Sequence, residues 1–260
     1  MPDRKKYLDV AAKKVGSFGY DPWGFHLKGI ERSFPIAKFF YEKYFRVESY
    51  GLENIPKDGR VLIIPNHSGQ LPIDGALIGY AMLTNEHAPR APKAMMERFF
   101  PTVPFVGNAL NRMGAVLGDV DNCKVMLENE QAIIVFPEGV KGTSKVFNQR
   151  YQLQRFGNGF VHLAMKYNTP IIPVGVVGCE ESIVSLTDFK SIAKKIGMPT
   201  LPLVVPIVWP TKVIIHFGQP IYFDDSNMKN DVVVNNVDIV KKEIKKLIDL
   251  GLSKRKNLFD

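Results

Sequence analysis

Cysteine is scarce in this chain: Cys123 and Cys179 are the only two in 260 residues, and they form no C-x-x-C pair. That excludes a disulfide framework and a cysteine zinc site, and it suits a reducing compartment. The five histidines never stand four apart and no H-E-x-x-H occurs, so no metal and no metal cofactor is expected. Also missing are the G-x-x-x-x-G-K-[ST] phosphate loop and the G-x-S-x-G elbow of serine hydrolases. Gly157-x-Gly159 begins like a dinucleotide loop, but His162 stands where its third glycine belongs. Long apolar runs are absent: the longest, residues 201–210, is too short for a membrane span and carries three prolines. With no signal peptide, internal repeat or low-complexity linker, the chain is expected in the cytoplasm, at most peripheral to a membrane.

The composition present is that of a globular protein, with 45% hydrophobic and 23% charged residues, and the length fits one α/β domain with additions. Residues 1–45 read as an aromatic strap followed by an amphipathic helix, and residues 46–260 as the α/β domain. Seventeen phenylalanines are more than a core of this size needs and point to an interface. The net charge of +8 suits nucleic acid, an anionic membrane surface or phosphorylated substrates, and does not choose among them.

Short apolar runs at 61–65, 132–137 and 171–178 alternate with helical periodicity at 72–83, 122–130 and 156–167. This predicts a mixed, mostly parallel sheet flanked by helices. Further strands are expected at 46–50, 93–96, 114–117 and 213–217, and a closing helix at 238–250. Over 31–44 Phe34, Ala37, Tyr41 and Tyr44 share one helical stripe, with Phe39 and Phe40 widening it and Lys38, Lys43 and Arg46 beside it. Such a helix packs on the core with one face and can meet lipid headgroups with another.

The organising stretch is 61–75, VLIIPNHSGQLPIDG. A buried strand ended by Pro65 leads into a loop holding His67, and Pro72 opens a helix whose first turn holds Asp74. If the loop folds back, the carboxylate can hold one ring nitrogen and leave the other free to take a proton. His67 and Asp74 are therefore the candidate base and its orienter. No serine nucleophile faces them, so the proton would come from a substrate, with hydrolysis by water at the same base as a further reading. Backbone N–H groups near Gly69 or at the start of the following helix could stabilise an oxyanion.

A second stretch, FPEGVKGTSK at 136–145, lies just past a buried strand, where open α/β sheets place their sites. Its glycines let backbone approach a ligand, and Lys141 and Lys145 supply mobile charge suited to a phosphate.

Four blocks in order, NHSGQLPID at 66–74, GNALNR at 107–112, FPEGVKG at 136–142 and IIPVGVVG at 171–178, resemble the glycerolipid and lysophospholipid acyltransferase family. The longer spacing of the first block, with six residues between His67 and Asp74, resembles a branch that includes mono- and diacylglycerol acyltransferase-like members. The resemblance covers about residues 45–220. It implies transfer of a fatty acyl group from coenzyme A or acyl carrier protein to a lipid hydroxyl, lysophosphatidic acid foremost and neutral acylglycerols as the alternative. The thioester is then a co-substrate, and neither a bound cofactor nor nucleic acid is implied. It further implies that His67 is the base, Asp74 its orienter, and that Arg112, Glu138 and Gly139 bind the acceptor at a peripheral membrane surface. A lipid-surface protein that kept this fold without the chemistry is the remaining reading.

Overall fold

Residues 61–65 are apolar throughout and end in proline, and they form a wholly buried strand at the centre of a seven-stranded sheet. The computed structural model describes residues 2–12, 15–67, 71–188, 202–204, 207–225, 227–257 and 259. In chain order the strands are β1 (Glu48–Tyr50), β2 (Val61–Pro65), β3 (Lys93–Met96), β4 (Ala115–Leu117), β5 (Ala132–Ile134), β6 (Ile171–Val177), β7 (Ser185–Asp188), β8 (Pro202–Val204) and β9 (Ile214–Phe217). The helices are α1 (Pro2–Ala12), α2 (Leu27–Phe39), α3 (Ile73–Leu83), α4 (Val106–Arg112), α5 (Val120–Glu128), α6 (Val140–Thr143), α7 (Gly159–Lys166), α8 (Cys179–Ser182) and α9 (Asn230–Lys254).

The sheet order is β1-β9-β6-β2-β5-β3-β4, and every neighbouring pair is parallel except β6 with β9. The fold is thus the expected α/β architecture with a mixed, mostly parallel sheet. Strand side chains alternate between two apolar layers, as a period of two requires. Leu62, Ile64, Ile133 and Ile171 join α5, α7 and α9 on one face, while Val61, Ile63, Ile134 and Ile172 join α3 on the other. Burial on both faces explains why these strands read as unbroken apolar runs. The parallel strands β2 and β5 end on the same edge, which brings the segments after them, His67 and Glu138, together. Of the apolar stretch 201–210, residues 201, 205 and 206 lie outside the described residues, and Pro202–Val204 pairs antiparallel with β7.

Two helices start earlier than their periodicity suggested. The terminal helix begins at Asn230 because Val233 and Val237 extend the buried stripe of Val240, Ile244 and Ile248. At the N-terminal end α2 begins at Leu27, and residues 40–44 continue it as a turn of π-helix. Phe34 of α2 packs on Tyr80 and Leu83 of α3. The strap before it is pinned by Asp21, whose Oδ1 accepts the N–H groups of Trp23 and Phe25, each at 2.9 Å. Its other oxygen pairs with the buried Lys93 at the start of β3. No helix among the described residues is long and apolar enough to cross a membrane.

Candidate active site

One residue beyond β2, the chain is held by an extra rung of hydrogen bonds. Asn66 is fully buried, its Oδ1 accepting the Val176 N–H at 2.7 Å and its Nδ2 donating to the Val176 carbonyl at 3.0 Å. Through Asn66 the end of β2 stays fixed to β6, and the next residue, His67, leaves from a rigid point. Ser68 and Gly69, and with them the oxyanion donors suggested near Gly69, lie outside the described residues.

The chain returns as α3, whose first turn carries Asp74 with no solvent exposure. Its Oδ2 lies 2.7 Å from His67 Nδ1, and its Oδ1 accepts the Gly75 N–H at 2.7 Å. A carboxylate only accepts, so Nδ1 is the donor in this pair, which leaves Nε2 as the acceptor of the neutral ring. The ring stacks on Phe136, centroids 4.1 Å apart, and is 8% exposed as a residue. From below, α6 comes so close that a Cβ on Gly142 would lie 2.7 Å from His67 Cβ. Only glycine leaves that space.

The F-P-E-G segment closes on the same histidine from behind. Glu138 Oε1 accepts the His67 N–H at 2.9 Å and its Oε2 accepts the Gln154 N–H at 2.8 Å. Lys145 is buried, with Nζ 2.8 Å from Glu180 Oε1 and 3.5 Å from Glu138 Oε2. Glu180 also accepts the Tyr151 N–H at 2.7 Å; burial pushes its carboxyl above the usual range, with Lys145 and the Tyr151 N–H opposing the rise. Gly139 has φ 53° and ψ −147°, a backbone shape that glycine adopts freely, and its Cβ position faces Glu97 Oε1 at 3.1 Å.

The five residues read from sequence as substrate ligands do not share one setting. Glu138 and Lys145 turn inward to protein partners. Arg112 and Lys141 are exposed, and neither carries an ion pair among the described residues. Asn66 and Glu180 are the residues that sequence reading passed over. The signal for Glu180 was two consecutive acids, Glu180 and Glu181, directly after a buried strand parallel to β2.

His67 lines a cavity of about 430 Å³ whose walls are mostly apolar. Beside the cavity β3 and β5 pair only at Lys93–Ile133 and Ala94–Ile134. Met95, Met96, Val135 and Phe136 line the gap between them, and Gly75 and Gly79 of α3 form one side. A Cβ on Gly79 would meet nothing nearer than Pro92 Cγ at 4.0 Å, so the protein's own packing does not require a glycine there. Among the described residues the cavity's ionisable lining is His67, Tyr80, Glu97, Asp119 and Cys123, with no lysine or arginine.

Residues 46–177 match the model of the acyltransferase family. An uncharacterized protein of Mycobacterium tuberculosis is 35% identical over 94% of this chain and 71% of its own length. The DGAT1/2-independent enzyme synthesizing storage lipids of Bos taurus is 26% identical over 76% of this chain and 59% of its own length. Among solved structures, the 1-acyl-sn-glycerophosphate (LPA) acyltransferase PlsC from Thermotoga maritima superposes with a TM-score of 0.56 over 95% of both chains. At 19% identity that likeness is one of fold.

Proposed function

Because the chain belongs to the acyltransferase family, we propose that it moves a fatty acyl group from a thioester donor, acyl-CoA or acyl carrier protein, to a lipid hydroxyl, with His67 as general base. One observation carries this reading: Nδ1 of His67 is 2.7 Å from a fully buried aspartate, and its ring lines an apolar cavity. The acceptor hydroxyl gives its proton to Nε2 while its oxygen bonds to the thioester carbonyl carbon. Collapse of the resulting oxyanion breaks the carbon–sulfur bond, and the thiolate takes the proton back from the imidazolium. Asp74 orients the ring and stabilises its charged form. The cavity, within the size range of small-molecule sites, suits an acyl chain with its carbonyl beside His67.

The acceptor best supported is an uncharged acylglycerol or another lipid alcohol. A lysophosphatidate phosphate calls for converging cations, yet Lys145 is buried against Glu180 and the cavity's charged lining is acidic at Glu97 and Asp119. The storage-lipid name of the bovine relative points the same way. Arg112 and Lys141, both exposed, then serve the donor's phosphates or headgroups.

Peripheral membrane docking accompanies this reading, since the acceptor resides in a bilayer. Phe39 is 53% and Phe105 88% exposed, and Phe105 holds a φ of 65°, which costs a bulky residue on the order of 1–3 kcal/mol. These rings are free to enter an interface with Lys38 and Lys43 near the headgroups. Phe99 and Phe100 are half-buried, and Phe100 lines the cavity.

The test is acyl transfer by purified protein to lysophosphatidate and to mono- and diacylglycerols, with both donor types. A folded His67→Ala variant is expected to lose at least ~100-fold in turnover. Near-normal turnover in that variant overturns the mechanism, and release of free fatty acid without acylated lipid makes the protein a hydrolase. Preference for lysophosphatidate overturns the uncharged acceptor.

A further inference from the structure

Outside the cavity lining, three charged side chains are buried together behind His67. Glu138, Lys145 and Glu180 are 4%, 8% and 6% exposed. One ammonium stands between two carboxylates, and each carboxylate also accepts main-chain N–H groups. His67 is reached twice: directly, through its own N–H on Glu138, and through Asn66, whose Nδ2 lies 3.5 Å from Glu180 Oε1.

We propose that Lys145 and Glu180 are positioning residues for His67: the ammonium holds the Glu138 carboxylate aimed at the His67 N–H, and Glu180 fixes the ammonium. This rests on the acyl-transfer reading for its kinetic consequence, but not for the geometry. Two buried carboxylates sharing one site do not both stay ionised without a cation between them. Removing Lys145 leaves the cluster at −2 instead of −1, so one carboxyl takes up a proton or Glu138 turns away from His67. No neighbour replaces the lost charge. Arg255 and Arg150 both face Glu181, and the Tyr151 hydroxyl accepts the Gly178 N–H while burial keeps it un-ionised.

The experiment compares Lys145→Met, Glu180→Gln and the double variant. Lys145→Met is expected to lower kcat about 10-fold or more, with KM for donor and acceptor within about two-fold of wild type, as for a group that never touches substrate. The double variant returns the cluster to −1 and recovers most of that loss, so the effects are strongly non-additive. The activity of Lys145→Met relative to wild type rises as pH falls, because acidification supplies the missing proton, and the same ratio for the double variant is flat. In hydrogen exchange the His67 amide is protected in wild type and in the double variant, and exchanges faster in Lys145→Met. Glu180→Gln alone, a near-isostere, is expected to weaken His67 amide protection without raising either KM, which keeps the idea testable if Lys145→Met does not fold. Additive losses, a raised acceptor KM with normal kcat, or an unchanged His67 amide in Lys145→Met overturns the proposal. A wild-type protein that transfers no acyl group sinks the functional reading instead, and the amide measurement still decides this one.

Discussion

Gly142→Ala adds one methyl group where two atoms already stand. Its Cβ would lie 2.7 Å from His67 Cβ and 2.8 Å from Glu138 Cβ, whereas ordinary contacts begin at 3.4 Å, so α6 and the His67 segment must part by 0.7 Å. Both obstructing atoms are Cβ atoms fixed to the backbone, so no change of rotamer relieves the clash. A catalytic group displaced by ~1 Å costs on the order of 100-fold, and the expected loss in kcat is therefore roughly 10- to 100-fold. That is about 1.4–2.7 kcal/mol of barrier. Stability changes less, because overpacking at ~1–3 kcal/mol is offset by up to ~1 kcal/mol for replacing glycine inside a helix. The melting temperature should fall by only a few degrees, roughly 2–4 °C per kcal/mol at this size. Initial rates well below the melting point, alongside calorimetry, separate the two effects. A folded Gly142→Ala variant with kcat within about two-fold of wild type would refute the idea that α6 sets the position of His67.

Gly79→Leu meets no wall at its first carbon and extends into the cavity, so it should shift donor preference toward shorter acyl chains while stability holds or improves. A mixed-chain competition assay reads this, and an unaltered length profile would separate the cavity from the donor. Binding to anionic vesicles should weaken with salt, since basic residues near such a surface contribute about 1 kcal/mol each, and Phe39→Ser with Phe105→Ser should abolish it in flotation. Failure of wild type to float at low salt removes the membrane docking. His216 is 4% exposed with Nε2 unpartnered, and burial, with Lys254 second, holds its pKa below the ordinary value of 6.5. The unfolded chain then binds a proton near pH 6.5 that the folded chain refuses, so stability is lost as pH falls from there toward the folded-state pKa. His216→Gln should flatten denaturation midpoints across that window, and an identical slope in both proteins would count against the assignment.

Much of this arrangement was legible in residue types. Val61–Pro65 and Ile171–Val177 read as buried strands because both of their faces are covered, and the pairing of His67 with Asp74 follows from a strand end, a loop and Pro72 in sequence. The antiparallel setting of β9 was not legible, since β6 and β9 are separated by residues whose path the pattern does not encode. Lys145 read as a ligand because glycine and lysine beside a strand end suit a phosphate, and Glu138 only through the family resemblance. The inward course of Lys145 depends on Glu180, 35 residues beyond it in sequence, and no local spacing announces that contact.

The short ladder between β3 and β5 has a consequence for how such a protein can change. Two rungs, Lys93–Ile133 and Ala94–Ile134, join the β3–β4 edge to the rest of the sheet, and the cavity begins where the third rung would be. Its width is set by where two strands stop hydrogen-bonding as much as by the bulk of the side chains around it. Lengthening that ladder by one pair would narrow the cavity with every lining residue unchanged, and shortening it would widen the cavity at the expense of the attachment that Asp21 and Lys93 secure from the other end. Specificity for chain shape can therefore drift through backbone register, leaving the histidine and its supports untouched.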